Sequence, residues 1–144
     1  MFARLSFLVK NPLIFKVLAY ATGLLYIYLF VMLLFFPSSF LQDLGLTGSE
    51  STFTLARRAS MLMLGFAVLS ISGGNAPPSA ARQALILAIS INMAGFAVMG
   101  TYEYFRGTVN SSILQAAAIE TTLAVAYFLL WLAGKALPYA KDPQ

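Results

Sequence analysis

Residues 113–133 read ILQAAAIETTLAVAYFLLWLA, an apolar run of twenty-one residues interrupted by one carboxylate, Glu120. At ~1.5 Å per residue, a helix of that length crosses a hydrocarbon layer of ~30 Å. A carboxylate held there must face a bundle interior, meet a partner or reach water. The remainder of the chain has the same character, since 60% of its 144 residues are hydrophobic and only 10% are charged. That is far too apolar for an ordinary soluble domain. The expected fold class is all-α: an integral membrane protein forming an antiparallel four-transmembrane-helix bundle, as a single domain over residues 1–144.

Upstream of this run, Ser112-Ile-Leu-Gln115 has the S-x-x-Q form of a capping box and opens the fourth span at 112–133. Asn110-Ser111-Ser112 also matches a glycosylation acceptor, a pattern too short to carry weight. The third span, 80–102, begins near Arg82 and ends in the interfacial aromatics and glycine of Tyr102-Glu103-Tyr104-Phe105-Arg106-Gly107. Its small or polar residues Ala84, Ala88, Asn92 and Gly100 form a seam suited to close helix packing, with Asn92 bonding across an interface. Before it, Gly73-Gly74-Asn75-Ala76-Pro77-Pro78-Ser79 is a turn. The second span, 54–72, takes its cap from Ser51 or Thr52 and carries Arg57 and Arg58. A short interfacial helix is expected in the first loop, where Pro37 ends the first span and Ser39-Phe-Leu-Gln42 repeats the capping-box form.

The first span occupies 17–36, with an interfacial lead-in over Met1 to Lys16 that Asn11-Pro12 interrupts. Its twenty residues and the lack of an Ala-x-Ala-like end favour a retained span over a cleaved signal peptide. Tyr20, Tyr26 and Tyr28 read as interfacial or bundle-bonded tyrosines, with a pocket lining as the rival reading. Lys135, Pro138 and Lys141 close the last helix. An even number of spans puts both termini on one side with Arg4, Lys10, Lys16, Arg82, Lys135 and Lys141, against Arg57, Arg58 and Arg106 on the other. This bias predicts that both termini are cytoplasmic.

The chain has no cysteine and no histidine, which removes thiol and imidazole chemistry and most zinc, copper and haem ligation. Neither a catalytic residue, a metal nor a cofactor is expected. The net charge of +4 is scattered around apolar runs, so it suits anionic lipid head groups better than nucleic acid. Counted from the cytoplasmic ends, Ser72 to Arg58 and Gly134 to Glu120 are both fourteen residues. That places both charges ~21 Å up, in the outer half of the membrane. If the second and fourth helices touch, Glu120 can pair with Arg58 or Arg57, either fixing register or lining an outward cavity. The candidate ligand-binding or buried polar cluster is Arg57, Arg58, Glu120, Asn92, Gln115, Tyr102 and Tyr127. The face of Glu120 continues through Ala124, Tyr127 and Trp131, and that of Arg58 through Leu62, Gly65, Leu69 and Ser72.

The pattern P-x-x-x-L-x-x-L-G-L from Pro37 to Leu46, followed by Leu55-Ala56-Arg57 opening a glycine-containing span, resembles small bacterial four-helix membrane proteins near the DoxX-like group. The resemblance implies a bacterial inner-membrane helical bundle and transfers no active-site residue; thiosulfate to quinone electron transfer in that group is a distant analogy. The leading functional expectation is a non-catalytic module that packs in the bilayer against a membrane-protein partner or itself, as a homo-oligomer, and holds a lipid, a quinone-like molecule or another apolar ligand. A small oligomeric transporter or proton-coupled carrier built on Arg58 and Glu120 is the alternative. A subunit of a quinone- or lipid-linked membrane enzyme comes third.

Overall fold

The structure, a computed structural model, describes residues 12–135. Those residues form five helices and no strand: α1 Pro12–Phe35, α2 Pro37–Asp43, α3 Glu50–Gly73, α4 Ala80–Phe105 and α5 Ser112–Lys135. All but α2 are long and apolar enough to cross a membrane. Each expected span falls on one of these four, and the short helix expected in the first loop is α2. α3, α4 and α5 outrun the apolar windows at polar end turns such as Glu50-Ser51-Thr52 and Glu103-Tyr104, whose helical bonding hydropathy does not register. Arg4, Lys10, Pro138 and Lys141 lie outside the described residues, as does most of the lead-in.

Several helix ends differ from expectation. The α3 cap is Ser49, whose Oγ accepts from the Thr52 backbone N–H at 3.3 Å; Ser51 and Thr52 are already helical, and their hydroxyls bond Ser49 Oγ at 2.7 and 3.0 Å. Pro12 is the first described residue of α1, so the interruption expected at Asn11-Pro12 lies at the edge of the described residues. Pro37 opens α2, so Ser39 and Gln42 sit inside that helix and form no capping box. Ser112 is itself helical and donates its N–H to Asn110 Oδ1 at 2.9 Å, so the second predicted box is displaced too. Ser79 caps α4 by accepting from the Arg82 N–H at 3.2 Å.

Two helices end in the same glycine motif. Gly45 (φ 78°) donates to Gln42 O while Leu46 donates to Leu41 O; Gly107 (φ 74°) donates to Tyr104 O while Thr108 donates to Glu103 O. This paired bonding around a left-handed glycine satisfies carbonyls that α2 and α4 would leave bare. The two ends are tied together through Asn110, whose N–H donates to Leu44 O at 2.9 Å and whose Nδ2 donates to Asp43 O at 3.0 Å. The side chain matching a glycosylation acceptor is thus a clasp between the first and third connections.

α1 packs along α3 and α4 along α5, whereas the two pairs meet only sparsely backbone to backbone. Within the first pair, the Tyr26 and Phe66 rings stack with centroids 5.4 Å apart. Within the second, Ser90 Oγ donates to Ala124 O at 2.9 Å, and Gly134 lies so close to Gln83 that a Cβ there would collide with the amide. The core draws Phe15, Ala19 and Tyr26 from α1, Met63 and Ala67 from α3, Ile86, Ile89 and Met93 from α4, and Ala124, Tyr127 and Leu130 from α5. The expected α4 seam is only half right. Gly100 does approach Ile113 and Asn92 does bond across an interface, but Ala84 and Ala88 are exposed while Ile86, Ile89, Ser90 and Met93 face inward.

Candidate functional site

Two hydrogen bonds bridge the helix pairs at their middle. Asn92 Nδ2 on α4 donates to Tyr26 Oη on α1 at 2.8 Å, and Tyr127 Oη on α5 donates to Thr22 Oγ1 on α1 at 3.1 Å. Tyr26, Thr22 and Tyr127 are fully buried, so each hydroxyl has exchanged water for a protein partner, as a buried polar group must. Asn92 and Tyr127 therefore belong to a polar girdle across the core.

Beside this girdle, toward the Asn110 clasp, the pairs separate and leave a cavity of about 310 Å³. Leu25, Tyr28 and Leu29 of α1 form one wall, Met93 and Phe96 of α4 another, and Phe40, Asp43 and Leu44 close it from α2 and the turn after it. The last wall is α5, from Ser112 through Gln115 and Ala116 to Glu120. Glu120 is half-buried, and its face continues inward as expected, since Ala124 and Tyr127 below it are buried. It lines the cavity from the same helix that carries Tyr127 of the girdle. Gln115 and Asp43 are exposed members of the rim. The walls are otherwise apolar and aromatic, the usual make-up of a small-molecule site.

Glu120 is not joined to an arginine. Among the described residues the ion pair present is Glu103 with Arg106, 3.6 Å apart on one helix. Arg57 and Arg58 are exposed, and the whole face Arg58, Leu62, Gly65, Leu69, Ser72 points away from the core; Leu62 and Leu69 are 64% and 51% exposed. The buried face of α3 is instead Ser60, Met63, Ala67 and Ser70. Equal height is not proximity: α3 lies against α1, and the Glu120 cavity is walled by other helices. Tyr102 is also placed elsewhere, on an exposed flank where the Arg106 guanidinium lies 5.6 Å from its ring centre. Of the seven predicted site residues, Glu120 and Gln115 line the cavity, Asn92 and Tyr127 form the girdle beneath it, and Arg57, Arg58 and Tyr102 take no part.

Comparison with protein-family models, curated proteins and solved structures finds no match.

Apart from the tyrosines of α1, the sequence carries no signal for the cavity wall supplied by α1 and α2. Those three tyrosines divide the two readings between them. Tyr26 is bonded in the core, Tyr20 accepts from Asn75 Nδ2 at 3.1 Å at the far end, and Tyr28 lines the cavity. At that far end Arg82 is buried, its guanidinium 3.9 Å from the Phe15 ring centre and its Nη1 donating to Ala76 O at 3.3 Å. Lys135 lies 3.9 Å from the Trp131 ring centre. Such cation–ring contacts let basic side chains cover an apolar end.

Proposed function

We propose that this chain is a multi-pass membrane protein, an antiparallel four-helix bundle whose non-catalytic role is to hold a small apolar or amphiphilic molecule in the cavity beside Glu120. Support for membrane placement comes from the lateral surface, where Leu24, Leu62, Val68, Ile91 and Val98 are all more than half exposed on helices of spanning length. A water-soluble bundle rarely carries apolar surface of that extent. Antiparallel order is supported by the paired contacts Gln83 with Gly134 and Ile113 with Gly100, in which one helix ascends as the other descends. The basic bias of the connections favours termini in the cytoplasm of a bacterial inner membrane, with the cavity toward the outer face. Exposed Ala84 and Ala88 leave room on α4 for a neighbouring helix, from a membrane partner or a second copy.

The observation that carries the binding role is the cavity itself, at about 310 Å³ with apolar walls and a half-buried carboxylate. That volume lies at the small end for ligand sites and suits one short chain or ring system better than a whole phospholipid. Ala116, on the α5 wall, gives a direct test. Native mass spectrometry of the chain released from its membrane should show a small adduct on the wild type and none on Ala116→Phe, whose ring fills the space. Equal adduct occupancy in both, or none in either, removes the reading.

A carrier reading draws on one further observation: Glu120 faces this cavity without an arginine, so it is placed to exchange a proton or a cation with a bound solute. In that case Glu120→Gln abolishes flux in proteoliposomes, and undiminished flux would eliminate the carboxylate from the mechanism.

A further inference from the structure

We propose that the ligand of the cavity is a cationic amphiphile, an ammonium head carried on a short apolar body; this deepens the binding role proposed above and rests on it. The first ground is charge. Among the described residues, Asp43 at the rim and Glu120 at depth are the carboxylates lining the cavity, and no lysine or arginine lines it. This contrasts with the whole chain, which is basic at +4. The three exposed arginines of the same end, Arg57, Arg58 and Arg106, lie outside the lining. Removal of a carboxylate from water without a counter-ion is unfavourable, and a bound cation supplies one.

The second ground is the wall chemistry. Tyr28, Phe40 and Phe96 contribute aromatic rings from three different elements, and such rings attract an ammonium through their faces while offering apolar contact to the chain behind it. The third is arrangement. Ser112 to Glu120 spans eight residues of α5, so the inner carboxylate lies ~12 Å below the rim at ~1.5 Å per residue. A ligand can therefore bring its head past Asp43 and Gln115 to Glu120 while its body lies against Leu25, Leu29 and Met93. An anionic or zwitterionic head would set a negative group against the same acids.

The test uses the full chain in phosphatidylcholine nanodiscs, titrated calorimetrically against empty discs with octyltrimethylammonium, octanol and octyl sulfate. The ammonium should bind saturably and about tenfold or more tighter than octanol, with octyl sulfate no different from empty discs. Glu120→Gln, nearly isosteric, should bring ammonium affinity to within about threefold of the same variant's octanol affinity. Asp43→Asn, at an exposed rim position, should weaken the ammonium alone and by less. Equal binding of ammonium and octanol, tighter binding of octyl sulfate, or full ammonium affinity in both variants overturns the cationic assignment and leaves the cavity's binding role standing. Absence of saturable binding for all three probes overturns both.

Discussion

At the scale of single residues, the centre of this chain is organised by hydroxyls and one amide. Tyr26 receives the half-buried Asn92 amide and Tyr127 donates to Thr22, so α1 is bonded to both helices of the opposite pair, and the three hydroxyls involved are fully buried. Asn92→Ala should lower stability by about 0.6–2 kcal/mol, the range for interhelical hydrogen bonds in lipid. In a double-mutant cycle with Tyr26→Phe, read by denaturant unfolding in micelles, most of that loss should appear as coupling between the two sites. Strict additivity would show that the bond contributes nothing. Ser70 gives the opposite case, since its Oγ is fully buried with no hydrogen-bond partner among the described residues. Ser70→Ala should be neutral or stabilising by up to about 1 kcal/mol, because it deletes an unsatisfied group at little loss of volume. A marked destabilisation in the same assay would point to a partner for that hydroxyl, such as a bound water.

At the scale of elements, the two connections at the cavity end depend on the left-handed glycines and on Asn110. Nothing stands within 4 Å of a Cβ built on Gly107, so Gly107→Ala should cost only the backbone penalty of about 1–2 kcal/mol. A Cβ at Gly45 would come within 3.2 Å of Asn110 Nδ2, so Gly45→Ala should cost more and should also loosen the clasp. Hydrogen exchange at the Asn110 amide reads that loosening directly. If Gly107→Ala proves the costlier change, the clasp is not what holds α2 over the cavity. These elements also show how far the sequence reaches. Four long apolar runs, the turn at 73–79 and the glycine stop at 107 were legible because length, apolarity and φ preference are local properties. Side-chain caps were less so: Ser49, Ser51, Thr52 and Thr54 offer neighbouring hydroxyls, and the chosen one is fixed by where the chain turns. Hardest was the choice of face. Arg58, Leu62, Gly65, Leu69 and Ser60, Met63, Ala67, Ser70 are both mixed small and apolar rows on α3, yet only the second is buried. When outward residues such as Leu62 and Leu69 are as apolar as buried ones, periodicity loses the polar stripe that marks the outside. The same ambiguity made Arg58 and Glu120 look like partners.

For the molecule as a whole, the decisive property is that four helices assemble as two tight pairs with a gap between them, since that gap is the cavity. Its geometry can be checked without a ligand because the chain contains no cysteine, so introduced thiols report only on each other. A disulfide forms readily only when Cα atoms approach to about 4.4–6.8 Å. Gly23 lies against Ile71 and Gly100 against Ile113, so the pairs Gly23→Cys with Ile71→Cys and Gly100→Cys with Ile113→Cys should cross-link in membranes under a mild oxidant. Arg58→Cys with Glu120→Cys should remain reduced, because the first residue is on the outward face of α3 and the second faces the cavity from α5. Each outcome is read as gel mobility after cleavage of a protease site placed between the two cysteines, in the 44–49 connection for 23/71, the 106–111 connection for 100/113 and the 74–79 connection for 58/120, so that only a disulfide keeps the two fragments joined. Efficient joining by the 58/120 pair would mean that α3 and α5 do touch. The cavity would then be a closed seam, the ion pair between Arg58 and Glu120 would regain its footing, and Glu120 would have its counter-ion within the chain rather than in a ligand.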